Sequence, residues 1–275
     1  MRPTMPFLAL AMALCGCSGK ASENAAPVPS GSAVPVVSAA PSAVASAAAP
    51  AALARSVEES NALYEFEFSY PAAAAAIPAL KAALDKALED ERGGLAANAK
   101  DMRAEAKKEG FPFNPLGSWT AWSVVASLPD WLSLSAEVSS YEGGAHPNHG
   151  YDALLWDRKA DKRRAALDLF TSKAALSGAI RQDFCRLLDR ERAKKRGAPV
   201  KRGSDEPFSD CIDPVESTVI LGSAGGKAFD RIGVLIGPYE AGPYVEGGYE
   251  VTLPVTAAVL AAVKPEYRAS FAPAR

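Results

Sequence analysis

An alternating strand that runs into a glycine- and histidine-rich loop is the feature that most constrains the fold. Residues 131–139 alternate apolar and polar side chains, as a strand with one buried and one solvated face requires. The loop YEGGAHPNHGYD (residues 141–152) follows, and residues 153–156 are again strand-like. The adjacent Gly143 and Gly144 suit a turn with positive φ angles and close backbone approach. These patterns predict a long antiparallel hairpin with an exposed tip.

Further helices and strands flank this hairpin. Helical spacing of apolar residues predicts a helix from about residue 77 to residue 92, which Gly93 and Gly94 interrupt; residues 95–109 form a second helix or a continuation. Other helices are expected from Ser172 to about residue 196 and at residues 255–263. Strand patterns fall at residues 63–70, 119–128, 217–221, 231–236 and 251–253. We therefore expect an α+β fold in which antiparallel sheets and packed helices form two lobes of one compact module.

The N-terminus has the pattern of an export signal. Arg2 precedes an apolar run at residues 7–14 that is too short to span a bilayer. The following LCGC fits a bacterial lipobox, in which the thiol of Cys17 takes a diacylglycerol before cleavage exposes its amine. The alternative is an ordinary secretory signal with incidental cysteines. Because Ser18 and not Asp follows Cys17, we expect an exported protein, anchored by its lipid to the outer membrane and facing the periplasm.

A low-complexity segment separates this signal from the globular part. Residues 18–56 are mostly Ala, Pro, Ser and Val and carry almost no charge. Such a chain cannot bury enough apolar surface to offset its ordering entropy, which predicts a disordered, partly polyproline tether. The expected organisation is a signal peptide at residues 1–17, the tether at 18–56, an N-terminal half at 57–164 and a C-terminal half at 165–270.

The charge distribution argues against a nucleic-acid partner. The 275-residue chain has a formal net charge of -2, far from the basic balance typical of nucleic-acid binding. Its densest basic segment, residues 190–196, ends the helix that starts at Ser172, where cations suit the helix C-terminus. This segment indicates either a solvated helix face or a patch for an anionic polymer.

Two cysteines lie beyond the lipobox, at Cys185 and Cys211. An exported chain meets an oxidising compartment, so the two cysteines predict a disulfide. Neither has a histidine near it in sequence, which argues against a metal site or a catalytic thiol.

Both histidines of the chain, His146 and His149, lie in the focal loop with Asp152 close behind them. Imidazole and carboxylate groups suit a metal, so a metal-dependent hydrolase is one interpretation. Pro147 separates the histidines, however, which does not fit a helical zinc motif, and no nucleophile elbow or phosphate loop accompanies them. The other interpretation is that His146 bonds backbone groups and fixes the hairpin tip. We expect no enzymatic activity, no metal and no cofactor.

Two glycine- and tyrosine-rich segments carry a family resemblance. YEGGAHPNHGYD (residues 141–152) and GPYEAGPYVEGGYEV (residues 237–251) together resemble the extracytoplasmic domain of RsiV-type anti-sigma factors. The same module is similar to the non-catalytic domain that precedes the deacetylase in PdaC-type peptidoglycan deacetylases. YEFEFSYP with the helix after it resembles the N-terminal, PdaC-like half, and LDLF (residues 167–170) with its helix resembles the start of the C-terminal, RsiV-like half.

The resemblance implies a binding function. RsiV-type proteins recognise lysozyme through this domain, so we expect a lipid-anchored module that recognises lysozyme or a similar envelope protein. The sequence shows neither a transmembrane helix nor a deacetylase domain, so sigma-factor release and deacetylation are not expected. The candidate ligand contacts lie in the two matched segments and are Tyr141, Gly143, Gly144, His146, Tyr239 and Tyr244.

Peptidoglycan-glycan binding is the alternative function. Tyr141, Tyr151, Tyr239 and Tyr244 could stack on sugar rings if they lie on exposed loops, or they could fill the edges of hairpins.

Overall fold

The computed structural model describes residues 53–274. The predicted signal peptide, the lipidation site at Cys17 and most of the predicted tether lie outside the described residues. Within the described part, no helix combines the length and the apolar character that crossing a bilayer requires.

Two β-sheets form the framework of this part of the chain. The larger sheet consists, in spatial order, of β1 (Arg55–Ser60), β2 (Tyr64–Tyr70), β3 (Leu116–Ser127), β4 (Trp131–Tyr141), β5 (Asn148–Asp157) and β6 (Lys162–Arg164). The smaller sheet consists of β7 (Thr218–Gly222), β8 (Arg231–Ile236) and β9 (Tyr249–Pro254). All neighbours pair antiparallel except β2 and β3, which are parallel because a helical crossover separates them.

Helices pack on these sheets and confirm the predicted α+β class. They are α1 (Ala72–Ala75), α2 (Pro78–Glu109), α3 (Lys173–Arg196) and α4 (Ala257–Ala262). The predicted hairpin is also present, as β4 and β5. Its loop is shorter than expected, because His149 and Tyr151 pair with Ser139 and Glu137 inside the ladder.

The predicted interruption at Gly93 and Gly94 is wrong, since α2 runs through both residues without a break. Glycine lowers helix propensity by about 1 kcal/mol relative to alanine but does not prevent helical hydrogen bonding. Strong helix formers surround the pair, and the first half of α2 is held on the larger sheet by Leu80, Leu84 and Leu88. The continuation was therefore the correct alternative.

A second difference concerns the start of the folded part. Strand β1 begins at Arg55, inside the segment predicted as tether, and pairs with β2 along its whole length. Its residues do not follow the strong apolar alternation of β2, so sequence patterns did not reveal it.

The two faces of the larger sheet contribute to two hydrophobic cores. One core lies between this sheet and α2, and includes Phe66, Phe68, Leu84 and Trp156. The other joins the opposite face, through residues such as Leu155, to α3, α4 and the smaller sheet. The second core covers only one end of that face, so the other end stays open.

The predicted disulfide is confirmed. Cys185 on α3 is bonded to Cys211, which lies in the long connection between α3 and β7. The crosslink spans 26 residues and tethers this connection to the helix. In the chain-entropy model a loop of that length contributes about 3 kcal/mol to stability.

Replacing either glycine of the α2 interior should stabilise the protein. A Cβ atom at Gly93 or Gly94 would meet nothing within 4 Å, and neither residue has a positive φ angle. We expect Gly93→Ala and Gly94→Ala each to raise the free energy of unfolding by about 0.5–1 kcal/mol, measured by urea denaturation.

Gly110, at the end of the same helix, provides the matched control. It has a φ angle of 75°, so Gly110→Ala should lower stability although its surroundings are equally open. Destabilisation by all three substitutions would contradict this account of α2.

Candidate ligand-binding cleft

The open end of the larger sheet forms the floor of a cleft of about 710 Å³. Two rows of paired residues cross β1 to β5 on this face. The first row is Glu58, Glu67, Trp119, Ser139 and His149, and the second is Ser56, Ser69, Ala121, Glu137 and Tyr151. Because side chains alternate along a strand, all ten belong to one face of the sheet.

The loop between β8 and β9 forms a wall of this cleft. It contributes Pro238 and the segment from Tyr244 to Gly248. The loop lies so close to β5 that a Cβ atom at Gly248 would overlap the hydroxyl of Tyr151, and it would also come within 2.9 Å of the Ile236 carbonyl oxygen on β8. Glycine at this position therefore permits the contact between the loop and the floor.

The cleft has a negative charge. Its lining includes Glu58, Glu67 and Glu137, whereas no lysine or arginine among the described residues lines it. The pKa of Tyr151 reflects this environment: burial raises it, and the nearby carboxylates, first of all Glu137, raise it further. A fourth lining carboxylate, Glu246, is paired with Arg196.

Trp119 lies on the floor with its six-membered ring over Gly117. A Cβ atom at residue 117 would overlap that ring, so only glycine allows the indole to adopt this position. The ring is partly exposed and neighbours Glu67 and Ser139 in the pairing pattern. It gives the floor an aromatic platform beside a carboxylate.

Tyr244 is the centre of an aromatic cluster at the end of the cleft. His146 stacks on its ring with centroids 3.8 Å apart and an interplanar angle of 24°. The centroids of His149 and Tyr239 lie 6.0 Å and 5.7 Å from that of Tyr244. The Tyr244 hydroxyl donates to the Pro147 carbonyl oxygen at 2.8 Å. The two segments that carried the family resemblance thus meet at this tyrosine.

The remaining candidates close the tip of the hairpin. The Tyr141 hydroxyl donates to the Gly144 carbonyl oxygen at 2.9 Å. Gly143 has a φ angle of 83°, and its carbonyl oxygen accepts from the Asn114 side chain at 3.3 Å. Of the six candidates, Tyr244 lines the cleft, and His146 and Tyr239 support it through their contacts with Tyr244. Tyr141, Gly143 and Gly144 shape the turn.

The metal interpretation of His146, His149 and Asp152 does not fit the geometry. His149 lines the cleft, whereas Asp152 belongs to the opposite face of β5 and lies beside α2. The His146 Nδ1 atom is 2.9 Å from the Pro147 carbonyl oxygen, as expected if it fixes the tip. Within residues 53–274, no group of three or more His, Cys, Asp or Glu side chains is placed to hold a metal ion.

A buried arginine holds the wall loop in place. Arg192 on α3 is 0% exposed. Its Nε donates to the Ala241 carbonyl oxygen at 2.8 Å and its Nη1 to that of Asp210 at 2.9 Å. Burial lowers the pKa of this guanidinium, whereas the nearby Asp189 opposes that shift. Arg192 therefore links α3 to the loop between β8 and β9 and to the connection between α3 and β7.

The other basic residues at the end of α3 reinforce this connection. Arg196 makes two hydrogen bonds to the Glu246 carboxylate, at 2.9 Å and 3.1 Å. Lys195 donates to the carbonyl oxygens of Glu246 and Gly248 at 2.6 Å and 2.5 Å. These contacts turn part of the basic segment toward the protein's own loop, which neither interpretation of residues 190–196 had anticipated.

The Glu246 carboxylate is the anionic end of this connection. Burial alone would raise its pKa, but hydrogen bonds from Arg196 and Tyr249 lower the pKa below its usual value of 4.5. Burial and the bond to Glu246 raise the pKa of Tyr249 to about 12.

Neutralising Glu246 should change how stability depends on pH. Because the unfolded chain binds this proton more readily, the ionised carboxylate stabilises the fold above about pH 4.5. That contribution is lost as the pH falls through the lowered folded-state pKa. We expect Glu246→Gln to reduce the free energy of unfolding at pH 7 by about 1–3 kcal/mol, with the deficit narrowing in acid.

Urea denaturation at a series of pH values measures this effect. The control is Glu250→Gln, since Glu250 lies two residues beyond this loop on β9 and its side chain is exposed. It should stay within about 0.5 kcal/mol of the unsubstituted protein. A deficit of Glu246→Gln that is the same at pH 3 and pH 7 would contradict the proposed role of its charge.

Sequence reasoning missed most of the cleft floor. Glu67 was recognisable as a residue on the polar face of a strand, but nothing indicated that this face was partly enclosed. Glu58 lies on the unpredicted strand β1, and the position of Trp119 depends on Gly117 two residues earlier. These residues meet only through strand pairing.

Comparison with known proteins gives one family match and several weaker structural likenesses, of which two are described here. A solved DUF3298 family protein from Bacteroides fragilis is 17% identical, with a TM-score of 0.43, over 74% of this chain and 90% of its own. Another, from Pseudomonas aeruginosa, is 16% identical, with a TM-score of 0.46, over 81% of this chain and 97% of its own. No curated protein matches significantly.

The family match falls on the N-terminal half of the folded part. Residues 57–149 match the family described as Deacetylase PdaC. They run from β1 to the start of β5 and include Glu58, Glu67 and Trp119 of the cleft floor. The resemblance of the C-terminal half to RsiV-type proteins stays a prediction. Residues 57–149 of this chain are a PdaC-type domain, as the sequence resemblance predicted.

Proposed function

We propose that this chain is a lipid-anchored, non-catalytic binding protein of the cell envelope whose cleft receives a basic protein, with lysozyme as the first partner to test. The main support is the cleft itself, in which Glu58, Glu67 and Glu137 face the solvent without a lysine or arginine among the described lining residues. The lipid anchor at Cys17 and the envelope location rest on the sequence alone.

Charge complementarity favours a basic partner. Glu58 and Glu67 are direct neighbours on β1 and β2, so their carboxylates repel each other unless a cation lies between them. A lysine or arginine side chain of a partner would relieve this repulsion. It would also be steered toward the negative cleft during association.

The rim of the cleft supplies apolar contacts that suit a protein surface. Val245 is 90% exposed and Tyr239 is 56% exposed. Tyr239 is held at a φ angle of 69°, which is unfavourable for a non-glycine residue, while its N–H donates to the Gly242 carbonyl oxygen at 3.0 Å. Exposed aromatic residues beside a concave polar surface are typical binding hot spots.

Titration calorimetry of residues 18–275, which lack the signal peptide and the lipidated cysteine, with C-type lysozyme tests the proposal. We expect saturable binding that weakens as salt is added, because screening reduces attraction between opposite charges. The triple variant Glu58→Gln, Glu67→Gln and Glu137→Gln should lower the affinity at least about tenfold, which corresponds to about 1.4 kcal/mol.

A second triple variant separates local from general charge effects. Asp101→Asn, Glu105→Gln and Glu109→Gln make the same change in net charge on the exposed end of α2, away from the cleft. This control should bind lysozyme nearly as well as the unsubstituted protein. If both triple variants bind equally well, the acidic floor is not the site.

Tyr239→Ala examines the rim separately from the floor. The exposed ring should contribute to affinity and little to folding, so binding should weaken without a large change in melting temperature. Phe111→Ala, at an exposed residue outside the cleft lining, is the control. Tyr244→Ala is less informative, because Tyr244 also stacks on His146 and bonds Pro147.

Peptidoglycan-glycan binding remains the second candidate, and Trp119 is the observation that favours it. A partly exposed indole on a cleft floor, beside carboxylates and serine hydroxyls, can stack on a sugar ring. Titration with muropeptides should then release heat that Trp119→Ala removes. Heat with muropeptides and none with lysozyme would replace the protein-binding proposal.

A further inference from the structure

Both histidines of the chain lie at one end of the acidic cleft. His149 on β5 is exposed and lines the cleft, in the row of floor residues that also contains Glu67. His146 is exposed as well, and it stacks on Tyr244 with the ring centroids 3.8 Å apart. Histidine is the side chain that ordinarily changes charge between about pH 5 and pH 8. Acidification through this range therefore adds positive charge at this end of the cleft.

The floor carboxylate beside His149 is Glu137 on β4. In the ladder between β4 and β5, Ser139 is opposite His149 and Glu137 is opposite Tyr151. Glu137 and His149 are therefore diagonal neighbours on one face of the sheet, roughly 7–8 Å apart. Both line the cleft, and no described lysine or arginine lines it beside them. A positive charge on His149 would thus act directly on Glu137.

The carboxylates that the loop between β8 and β9 brings to this end already have partners. Glu246 accepts two hydrogen bonds from Arg196, at 2.9 Å and 3.1 Å. Glu240 accepts from the Gly237 N–H at 2.8 Å and from Ser217 Oγ at 2.5 Å. The other titratable side chains near the histidines belong to the hairpin, this loop, β9 and α3, and they are Tyr141, Glu142, Tyr151, Tyr239, Tyr244, Glu250 and Lys195.

Protonation of His146 leaves the shape of the hairpin tip unchanged. Its Nδ1 lies 2.9 Å from the Pro147 carbonyl oxygen, and a carbonyl oxygen can only accept, so Nδ1 carries the proton of the neutral ring. The second proton then adds at Nε2, and the Nδ1 contact persists. A cation this close to an aromatic face is attracted to it, so the stack on Tyr244 persists as well. The charge of the rim changes while its geometry does not.

We propose that His146 and His149 form a pH switch on the acidic cleft, in which their protonation weakens the binding of a basic partner. This inference rests on the proposed function of the cleft. At neutral pH the floor offers the carboxylates of Glu58, Glu67 and Glu137 to the partner. In mild acid the imidazolium of His149 offsets the charge of Glu137, and both histidines repel the lysine and arginine side chains of the partner. Because carboxyl groups ordinarily titrate near pH 4, roughly, binding weakens while the floor is still charged.

Pentalysine with an acetylated N-terminus and an amidated C-terminus is the probe, because its charge does not change between about pH 5.5 and pH 7.5. Any pH dependence of its binding in this range therefore belongs to the protein. Titration calorimetry with residues 18–275 at one ionic strength measures the affinity at both pH values. We expect the affinity to be about tenfold lower at the acidic value.

The double variant His146→Gln and His149→Gln removes both titrating groups. It should bind pentalysine with one affinity at both pH values, close to that of the unsubstituted protein at neutral pH. Both side chains are exposed, so the melting temperature should change little. Asn148→Gln is the matched control, since Asn148 is exposed between the two histidines and should leave the pH dependence intact.

Three results would overturn the switch: no pentalysine binding at neutral pH, an affinity that does not fall in acid, or an equal fall in the double variant. A parallel titration with C-type lysozyme at neutral pH separates this inference from the proposed function. Binding of pentalysine that weakens in acid, without any binding of lysozyme, would reject lysozyme as the partner and support the switch. Binding of both ligands, with pentalysine affinity independent of pH, would reject the switch alone.

Discussion

The buried guanidinium of Arg192 is the interaction on which the architecture of the cleft depends. Removing a charge from water is unfavourable unless hydrogen bonds replace the lost hydration. The carbonyl oxygens of Ala241 and Asp210 accept from Nε and Nη1 and, with the Asp189 carboxylate, replace part of this hydration, so the loop between β8 and β9 is held against α3. Arg196 and Lys195 extend the contact to Glu246 and Gly248. The rim with Tyr239 and Tyr244 thereby rests on a rigid element.

The larger sheet separates the acidic cleft from the core beneath α2 by the alternation of its side chains. On β5, His149 and Tyr151 face the acidic cleft, while Asp152 and Trp156 face α2. Each face is half covered, one by α2 and the other by the smaller sheet and α3. A shift of one residue in strand register would exchange the two sets of side chains, so the cleft and the core beneath α2 depend on the same pairing.

Strong local patterns were predictable, and long-range pairing was not. The alternation in β2 and β4, the apolar spacing in α2 and α3, and the disulfide between Cys185 and Cys211 followed from the sequence. The parallel pairing of β2 and β3 did not, because 45 residues, including helix α2, separate the end of β2 at Tyr70 from the start of β3 at Leu116. Strand β1 was also missed, since the pairing with β2 and not its own residues makes it a strand.

The sequence alone determined the α+β class, the main helices, the hairpin and the PdaC-type character of residues 57–149, because these depend on local periodicity and on motifs that are contiguous in the chain. It also located Tyr239 and Tyr244 as candidates. Only the tertiary structure placed Glu58, Glu67 and Trp119 on one floor. Concave sites form where strands distant in sequence become neighbours, and no local pattern encodes that proximity.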